Sequence, residues 1–347
     1  MSVLVPAGIA FAIGIAITPF VTHMLYKNKA WKKASGKMAL DGNHATEFNR
    51  LHEVQEMRAP RMGGIVIWGS VLLTTLIFPF FAILGGSYFQ KFNFLNRSQT
   101  WIPLATLLVG AFVGLIDDIL IIREGGKGLR LRARLLTVVL LSFFIGFWFW
   151  YKLAITAINI PFHVPLEIGW LIIPFFIITS LALYASGVID GIDGLSGGVF
   201  ASIFAAYAVI AFVQNQVDLA TFCAVVVGGI LAFLWFNVPP ARFYMSDTGT
   251  MGLTLTVAVV AFMTDNLGGG IGITVLPIIG FLLVVTVASD ILQVMWKKVF
   301  GKKLFRIAPL HHHFEALGWP GHKVVMRYWI LSVVFASAGI ILALAAF

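Results

Sequence analysis

Two adjacent carboxylates, Asp117 and Asp118, close an apolar run from Trp101 to Ile116 that carries no charge. A carboxylate at the centre of a bilayer costs roughly 2.5–3.5 kcal/mol on the most lenient insertion scale. Two side by side therefore belong at a membrane–water boundary with a cation beside them. Arg123, Lys127, Arg130, Arg132 and Arg134 follow directly. The chemistry on offer is divalent-metal binding or phosphate handling at one membrane face. The competing reading is a helix end that happens to carry acids.

Three further stretches have the same character. Asp190-Gly191-Ile192-Asp193-Gly194 opens a polar turn between two apolar runs. Its glycines let backbone N–H groups approach a ligand closely. Carboxylates three apart share one face of a helical turn, where they hold Mg²⁺ or accept hydrogen bonds from ribose hydroxyls or a uracil N–H. A capped helix–helix turn would carry the same residues. In Asn237 to Gly249, the two-sided amide of Asn237 suits a base edge or a sugar, and Tyr244 offers a stacking face. Asp247 there is either a metal ligand or only a helix N-cap. The third stretch is His311-His312-His313 with Glu315. Successive helical residues turn by about 100°, so the three imidazoles divide their duties. Such groups bind a diphosphate oxygen or move a proton near pH 7. Zinc is the alternative, but the lone Cys223 lies in an apolar run and no second histidine cluster exists. Asp290, within another apolar run, is a functional carboxylate by default or half of a polar pair with Gln293.

The elements that must position these groups are membrane helices. Of 347 residues, 59% are hydrophobic and 11% charged, where a soluble domain carries about 25% charged. The chain reads as an all-α polytopic membrane protein, one integral domain over residues 1–347. Ten spans are expected: 3–25, 62–84, 101–121, 133–151, 167–187, 195–214, 218–237, 248–266, 271–296 and 325–346. The first is read as a retained helix rather than a removed signal. Gly110-x-x-x-Gly114 is a small-residue motif for close packing within one chain. With both termini outside, the expected cytoplasmic segments hold all but Lys91, Arg97 and Lys152 of the 24 Lys and Arg. That asymmetry fixes the orientation and accounts for the net charge of +9 without nucleic-acid binding. It also places every stretch described above at the cytoplasmic ends of spans.

The motifs resemble the polyprenyl-phosphate N-acetylhexosamine-1-phosphate transferases, in particular the phospho-N-acetylmuramoyl-pentapeptide-transferase family. The matching stretches run nearly end to end. They are Pro60-Arg-Met-Gly-Gly64, Gly114-Leu-Ile-Asp-Asp118, Lys127-Gly-Leu129, Asp190-Gly-Ile-Asp-Gly-Leu195, Phe236-Asn237 with Pro240-Ala241, Phe243-Tyr-Met-Ser-Asp-Thr-Gly249, Phe305-Arg306, Ala308-Pro-Leu-His-His-His-Phe-Glu315 and Gly318-Trp-Pro320. The aspartate motifs are shared across the superfamily; the triple histidine looks like the muramoyl-pentapeptide branch.

The resemblance implies ten helices, a homodimer, and a site on the cytoplasmic face of a bacterial inner membrane. The implied reaction moves phospho-MurNAc-pentapeptide from UDP-MurNAc-pentapeptide to undecaprenyl phosphate, giving lipid I and UMP, with Mg²⁺. Asp247 would ligate the metal with Asp117 and Asp118 beside it, and Asp117 would be the base toward the lipid phosphate. Asp190, Gly191, Asp193, Asn237 and Tyr244 would hold the uridine. His311, His312 and His313 would face the phosphates and sugar, and Lys127, Arg132 and Arg134 would offset charge. The alternatives are a sister enzyme moving another N-acetylhexosamine phosphate, such as GlcNAc-1-phosphate, and a non-catalytic lipid-phosphate carrier. The chain departs from the family pattern at four places. Arg61 stands at a threonine position. Val54, Gln55 and Glu56 stand where a lysine is usual, and Gly187 where an asparagine is. Thr286 replaces a glutamate, with Asp290 four residues on. Arg61 or Asp290 is expected to compensate.

Overall fold

The computed structural model describes residues 1–31, 59–85, 90–96, 98–123 and 128–347. The long helices are α1 (Leu4–Lys27), α2 (Gly64–Gly85), α3 (Trp101–Arg123), α4 (Leu131–Leu153), α5 (Ile172–Ala185), α6 (Leu195–Val213), α7 (Val217–Asn237) and α8 (Ser246–Phe262). After them come α9 (Gly272–Ile279), α10 (Phe281–Phe300), the short α11 (Leu310–Ala316) and α12 (Gly321–Ala345). Among the described residues nine helices are long and apolar enough to cross a membrane, and the bent pair α9–α10 would make a tenth. The expected ninth span, 271–296, is thus not one helix: it breaks by 67°. Pro277 removes a ladder donor inside α9, and Gly280 sits at the corner.

The fifth expected span, 167–187, is found at Gly169–Ile189, where a single tight turn at Gly169–Leu171 leads into α5. Residues 157–158 and 166–167 pair as two-residue antiparallel strands, with Ala157 opposite Glu167. Their hairpin holds the chain outside the helix before α5 begins.

In lipid there is no hydrophobic gain from pressing helices together, so close packing decides what sits at the centre. That helix is α8: 94% of its span is buried within the protein, against 22% for α4. Its four threonines, Thr250, Thr254, Thr256 and Thr248, are all buried; the first three return their hydroxyls to carbonyls one turn earlier. On α4, by contrast, Phe143, Phe144, Phe147, Trp148 and Tyr151 are exposed, as a lipid-facing surface should be.

The Gly110-x-x-x-Gly114 motif does the within-chain packing expected of it. A Cβ on Gly110 would stand 2.9 Å from Cα of Gly252 on α8, and Gly114 lies directly against the main chain of Asp247. This contact matters for the site. One turn beyond Gly114, the same face of α3 brings Asp117 and Asp118 against the start of α8.

Candidate functional site: a ring of carboxylates and arginines

Asp118 is fully buried and fully engaged. Its Oδ2 accepts hydrogen bonds from Ser246 Oγ (2.6 Å), Thr248 N (2.9 Å) and Thr248 Oγ1 (2.6 Å). Its Oδ1 meets Arg61 at Nε (2.9 Å) and Nη2 (2.8 Å). Asp117, 3% exposed at its side chain, lies 2.6 Å from Arg134 Nη2 and accepts Leu129 N–H at 2.5 Å. Asp247 stands between the two guanidiniums, 3.5 Å from Arg61 Nη2 and 3.7 Å from Arg134 Nη1, and its side chain is 27% exposed. The order is Asp118, Arg61, Asp247, Arg134, Asp117. Two acids are locked behind the wall; the third faces out.

Main-chain pairing puts Arg61 there. Tyr244 N donates to Pro60 O (2.9 Å), Gly63 N to Tyr244 O (2.8 Å) and Gly64 N to Met245 O (3.2 Å). Arg61 is thereby held on the segment alongside the α8 entry. Ser246 is the hub of that entry. It adopts φ +53°, a left-handed conformation that is costly for a residue with a Cβ. In return its Oγ accepts from Met62 N (2.8 Å) while donating to Asp118, and its N–H donates to Asp190 Oδ2 (2.8 Å).

Through Asp190 the ring reaches the histidines. Asp190 Oδ1 accepts from Ser196 Oγ at 2.6 Å. Next to it, Gly191 is pressed against two imidazoles: an added Cβ would lie 2.5 Å from His312 Nε2 and 2.7 Å from His311 Nε2. Only glycine fits that approach. His311 and His312 are buried with ring centroids 4.3 Å apart, and His312 Nδ1 pairs with Glu315 Oε2 at 2.8 Å. The short α11 that carries them is anchored by Leu310 N–H to Ser289 Oγ on α10 (3.0 Å).

Asp193 and Asn237 tie the neighbouring turns together. Asp193 Oδ2 accepts from Ala241 N (3.0 Å). Asn237 accepts from Gly194 N (2.9 Å) and donates to Phe243 O (2.8 Å), so both ends of its amide serve backbone. Gly194 itself sits at φ +81°. Tyr244 is half-buried at the same turn.

The electrostatics follow from the crowding. Burial alone would lower the Arg61 pKa, but Asp118, then Asp247 and Asp190, outweigh it and hold the guanidinium further above its ordinary value. Burial pushes the Asp190 carboxyl up, against its hydrogen bonds from Ser196 and Ser246. Burial and then Arg306 push His313 down. His313 has turned away from the other two histidines, accepting Arg306 N–H at Nδ1 (3.2 Å).

Among the described residues no three of His, Cys, Asp and Glu are grouped to cage a metal ion. Magnesium does not require a cage: it keeps several waters and takes one or two carboxylates plus substrate phosphates. Asp247 suits that donor set, because its contacts are long and its carboxylate is open. Asp117 and Asp118 stand beside it but are already engaged by Arg134, Arg61 and backbone donors.

The structure therefore joins Asp117, Asp118, Asp247, Asp190, Gly191, His311 and His312 into one connected site, with Asp193, Asn237 and Tyr244 at its rim. Lys127 lies outside the described residues. Arg132 is exposed on the first turn of α4, and the ring takes Arg134 instead. Of the two compensating residues expected, Arg61 is in the ring. Asp290 is half-buried on α10. Ser246 carried no chemistry in the sequence reading, although a serine just before an acid at a helix start is a capping signal. Tyr184, on α5, is the second such residue: it lies near enough to Arg134 and Asp247 to feel their charge, and nothing in its apolar surroundings marked it.

Residues 100–265 match the family model described as glycosyl transferase family 4. The whole chain is similar to proteins named phospho-N-acetylmuramoyl-pentapeptide-transferase. That of Bacillus mycoides (strain KBAB4) is 33% identical over 347 residues, covering 97% of this chain and 96% of the relative. That of Bacillus anthracis (strain A0248) is 34% identical over 346 residues with the same coverage. That of Bacillus thuringiensis (strain Al Hakam) is 33% identical, again over 97% of this chain.

Proposed function

The chain belongs to the phospho-N-acetylmuramoyl-pentapeptide-transferase family of multi-pass bacterial membrane enzymes, and from that premise we propose its reaction. It transfers phospho-MurNAc-pentapeptide from UDP-MurNAc-pentapeptide to undecaprenyl phosphate, releasing UMP and forming lipid I, in a magnesium-dependent step of peptidoglycan synthesis. The site faces the cytoplasm, where the soluble nucleotide arrives, and the enzyme works as a homodimer. The observation that supports this most is the joining of the acid–arginine ring to His311 and His312 through Ser246, Asp190 and Gly191. A lipid carrier without catalysis has no use for that assembly.

The acceptor phosphate attacks the phosphorus bonded to the sugar; the new P–O bond forms as the bond to the UMP oxygen breaks. Bound magnesium supplies charge neutralisation for the diphosphate. The chain's own groups do the rest. Asp247, the open carboxylate of the ring, would hold the metal. A phosphate monoester has a second pKa near 6, so most acceptor is already deprotonated at neutral pH; Asp117 fixes Arg134 toward the incoming phosphate, and the carboxylate oxygen that Arg134 leaves on turning to that phosphate takes the remaining proton. His311 and His312 contact the phosphate and sugar side. Asp190, Asp193, Asn237 and Tyr244 shape the uridine pocket, the polar ones mostly by holding the turns that form it.

The test is UMP release by purified protein with Mg²⁺, undecaprenyl phosphate and one UDP-sugar at a time. Release with UDP-MurNAc-pentapeptide alone supports the proposal. Release with UDP-GlcNAc reassigns the chain to a sister activity, and release with neither rejects enzymatic transfer.

A further inference from the structure

Arg61 occupies a position in the ring that the reaction above leaves without a task. Its guanidinium has five donors in a planar fork. Two bind Asp118 Oδ1, at 2.9 and 2.8 Å. The second hydrogen on Nη2 faces Asp247 Oδ2 across 3.5 Å, too long for a strong hydrogen bond. Nη1 has no partner among the described residues, and the side chain is 24% exposed. The group is anchored along one edge and under-used along the other, and the under-used edge points to where the metal-binding carboxylate meets solvent.

Charge counting gives that edge a purpose. Three carboxylates and two guanidiniums leave the ring one unit negative. Were position 61 uncharged, the ring would be two units negative, which attracts a divalent cation more strongly and repels a diphosphate more strongly. Arg61 thus works against the metal and in favour of the nucleotide.

We propose that Arg61 is a substrate-binding residue for the donor diphosphate: it shields Asp247 in the empty site and turns its free edge to a phosphate oxygen when the UDP-linked donor arrives, while staying anchored on Asp118. The inference rests on the donor being a UDP-sugar. It makes two predictions of opposite sign, whereas loss of a merely structural arginine would weaken both ligands together.

The experiment compares wild-type protein with Arg61→Gln and Arg61→Lys. Mn²⁺ binding without substrate is read by electron paramagnetic resonance, and UDP-MurNAc-pentapeptide binding by calorimetry. Arg61→Gln should bind Mn²⁺ about tenfold tighter and the donor about tenfold weaker. Arg61→Lys keeps the charge but loses the fork, so its Mn²⁺ affinity should stay within twofold of wild type while donor binding falls about fivefold. Unchanged or weaker Mn²⁺ binding in folded Arg61→Gln overturns the proposal. Should Arg61→Gln fail to fold because Asp118 is left buried and unpaired, the lysine variant decides: donor binding at wild-type strength overturns the proposal. Wild-type protein that binds no UDP-linked donor at all rejects the donor assignment itself and is distinguishable from either result.

Discussion

The two ends of α8 hold carboxylates in opposite ways. At its start, Asp247 is a quarter exposed and faces two guanidiniums across 3.5 and 3.7 Å. Just beyond its far end, Asp265 is fully buried and is satisfied by amides. Its Oδ1 accepts Asn159 N–H and its Oδ2 accepts Ile273 N–H, both at 3.0 Å. Asn159 then bonds Gly270 O (2.6 Å), and Thr274 Oγ1 bonds Asn159 O (2.6 Å). The Asp265 knot staples the strand hairpin to the start of α9. A carboxylate closed by short backbone bonds is a fastener. A carboxylate left open between long cation contacts is ready to exchange them for a ligand.

The comparison breaks most sharply on isosteric amides. Asp247→Asn is expected to lower turnover at least a thousandfold and abolish Mn²⁺ binding, with the unfolding midpoint in detergent close to wild type. Asp265→Asn should do the reverse: activity within threefold, but stability reduced by about 1–3 kcal/mol, because a side-chain –NH₂ now meets a backbone donor. Thermal unfolding and UMP release on the same two preparations check both. Similar activity losses in the two variants would erase the distinction.

On the site end, two further variants sharpen it. Arg134→Met removes the cation that joins Asp117 to Asp247, and about a hundredfold loss of turnover is expected. Gly191→Ala pushes a methyl onto His311 and His312. About tenfold loss is expected there, with intact folding and little change in Mn²⁺ binding, since the displacement falls on the histidine side. Loss of Mn²⁺ binding in Gly191→Ala would show that metal and histidines are not separable parts of the site.

Much of this site was readable from residue types because polarity is so scarce in the chain. Acids at the ends of apolar runs have few places to go, and Asp117, Asp118, Asp190 and Asp247 went to one. The glycine spacing on α3 likewise announced a close helix contact within the chain; the structure makes α8 its partner, and that contact carries two of those acids into place. What stayed hidden depends on direction rather than composition. Asn237 reads as a reader of bases, and residue type gave no sign that its amide also joins two turns, accepting from Gly194 N and donating to Phe243 O. The triple histidine implied divided duties, but only the geometry of α11 shows that His313 is the one turned away, toward Arg306. The break at Gly280 was masked by the unbroken hydropathy of residues 271–296, since a bend with an apolar surface reads like a straight span. Asp265 drew no attention because a single acid at the edge of a span gives no sign of which amides it meets.

Arg132 and Arg134 supply the smallest and most discriminating contrast. Both are arginines on the first turn of α4, and by composition either one answers a phosphate. Two residues on a helix differ by about 200° in direction, so when Arg134 points to Asp117 and Asp247, Arg132 points away. It is exposed in the structure, where an interfacial arginine meets lipid headgroups at modest gain. Arg132→Ala should therefore change UMP release less than threefold at saturating substrate, against the hundredfold expected at Arg134. A loss approaching tenfold, recovered by Arg132→Lys, would mean that the acceptor's phosphate is met outside the ring before it is met inside, and the open side of the site would have to extend around α4.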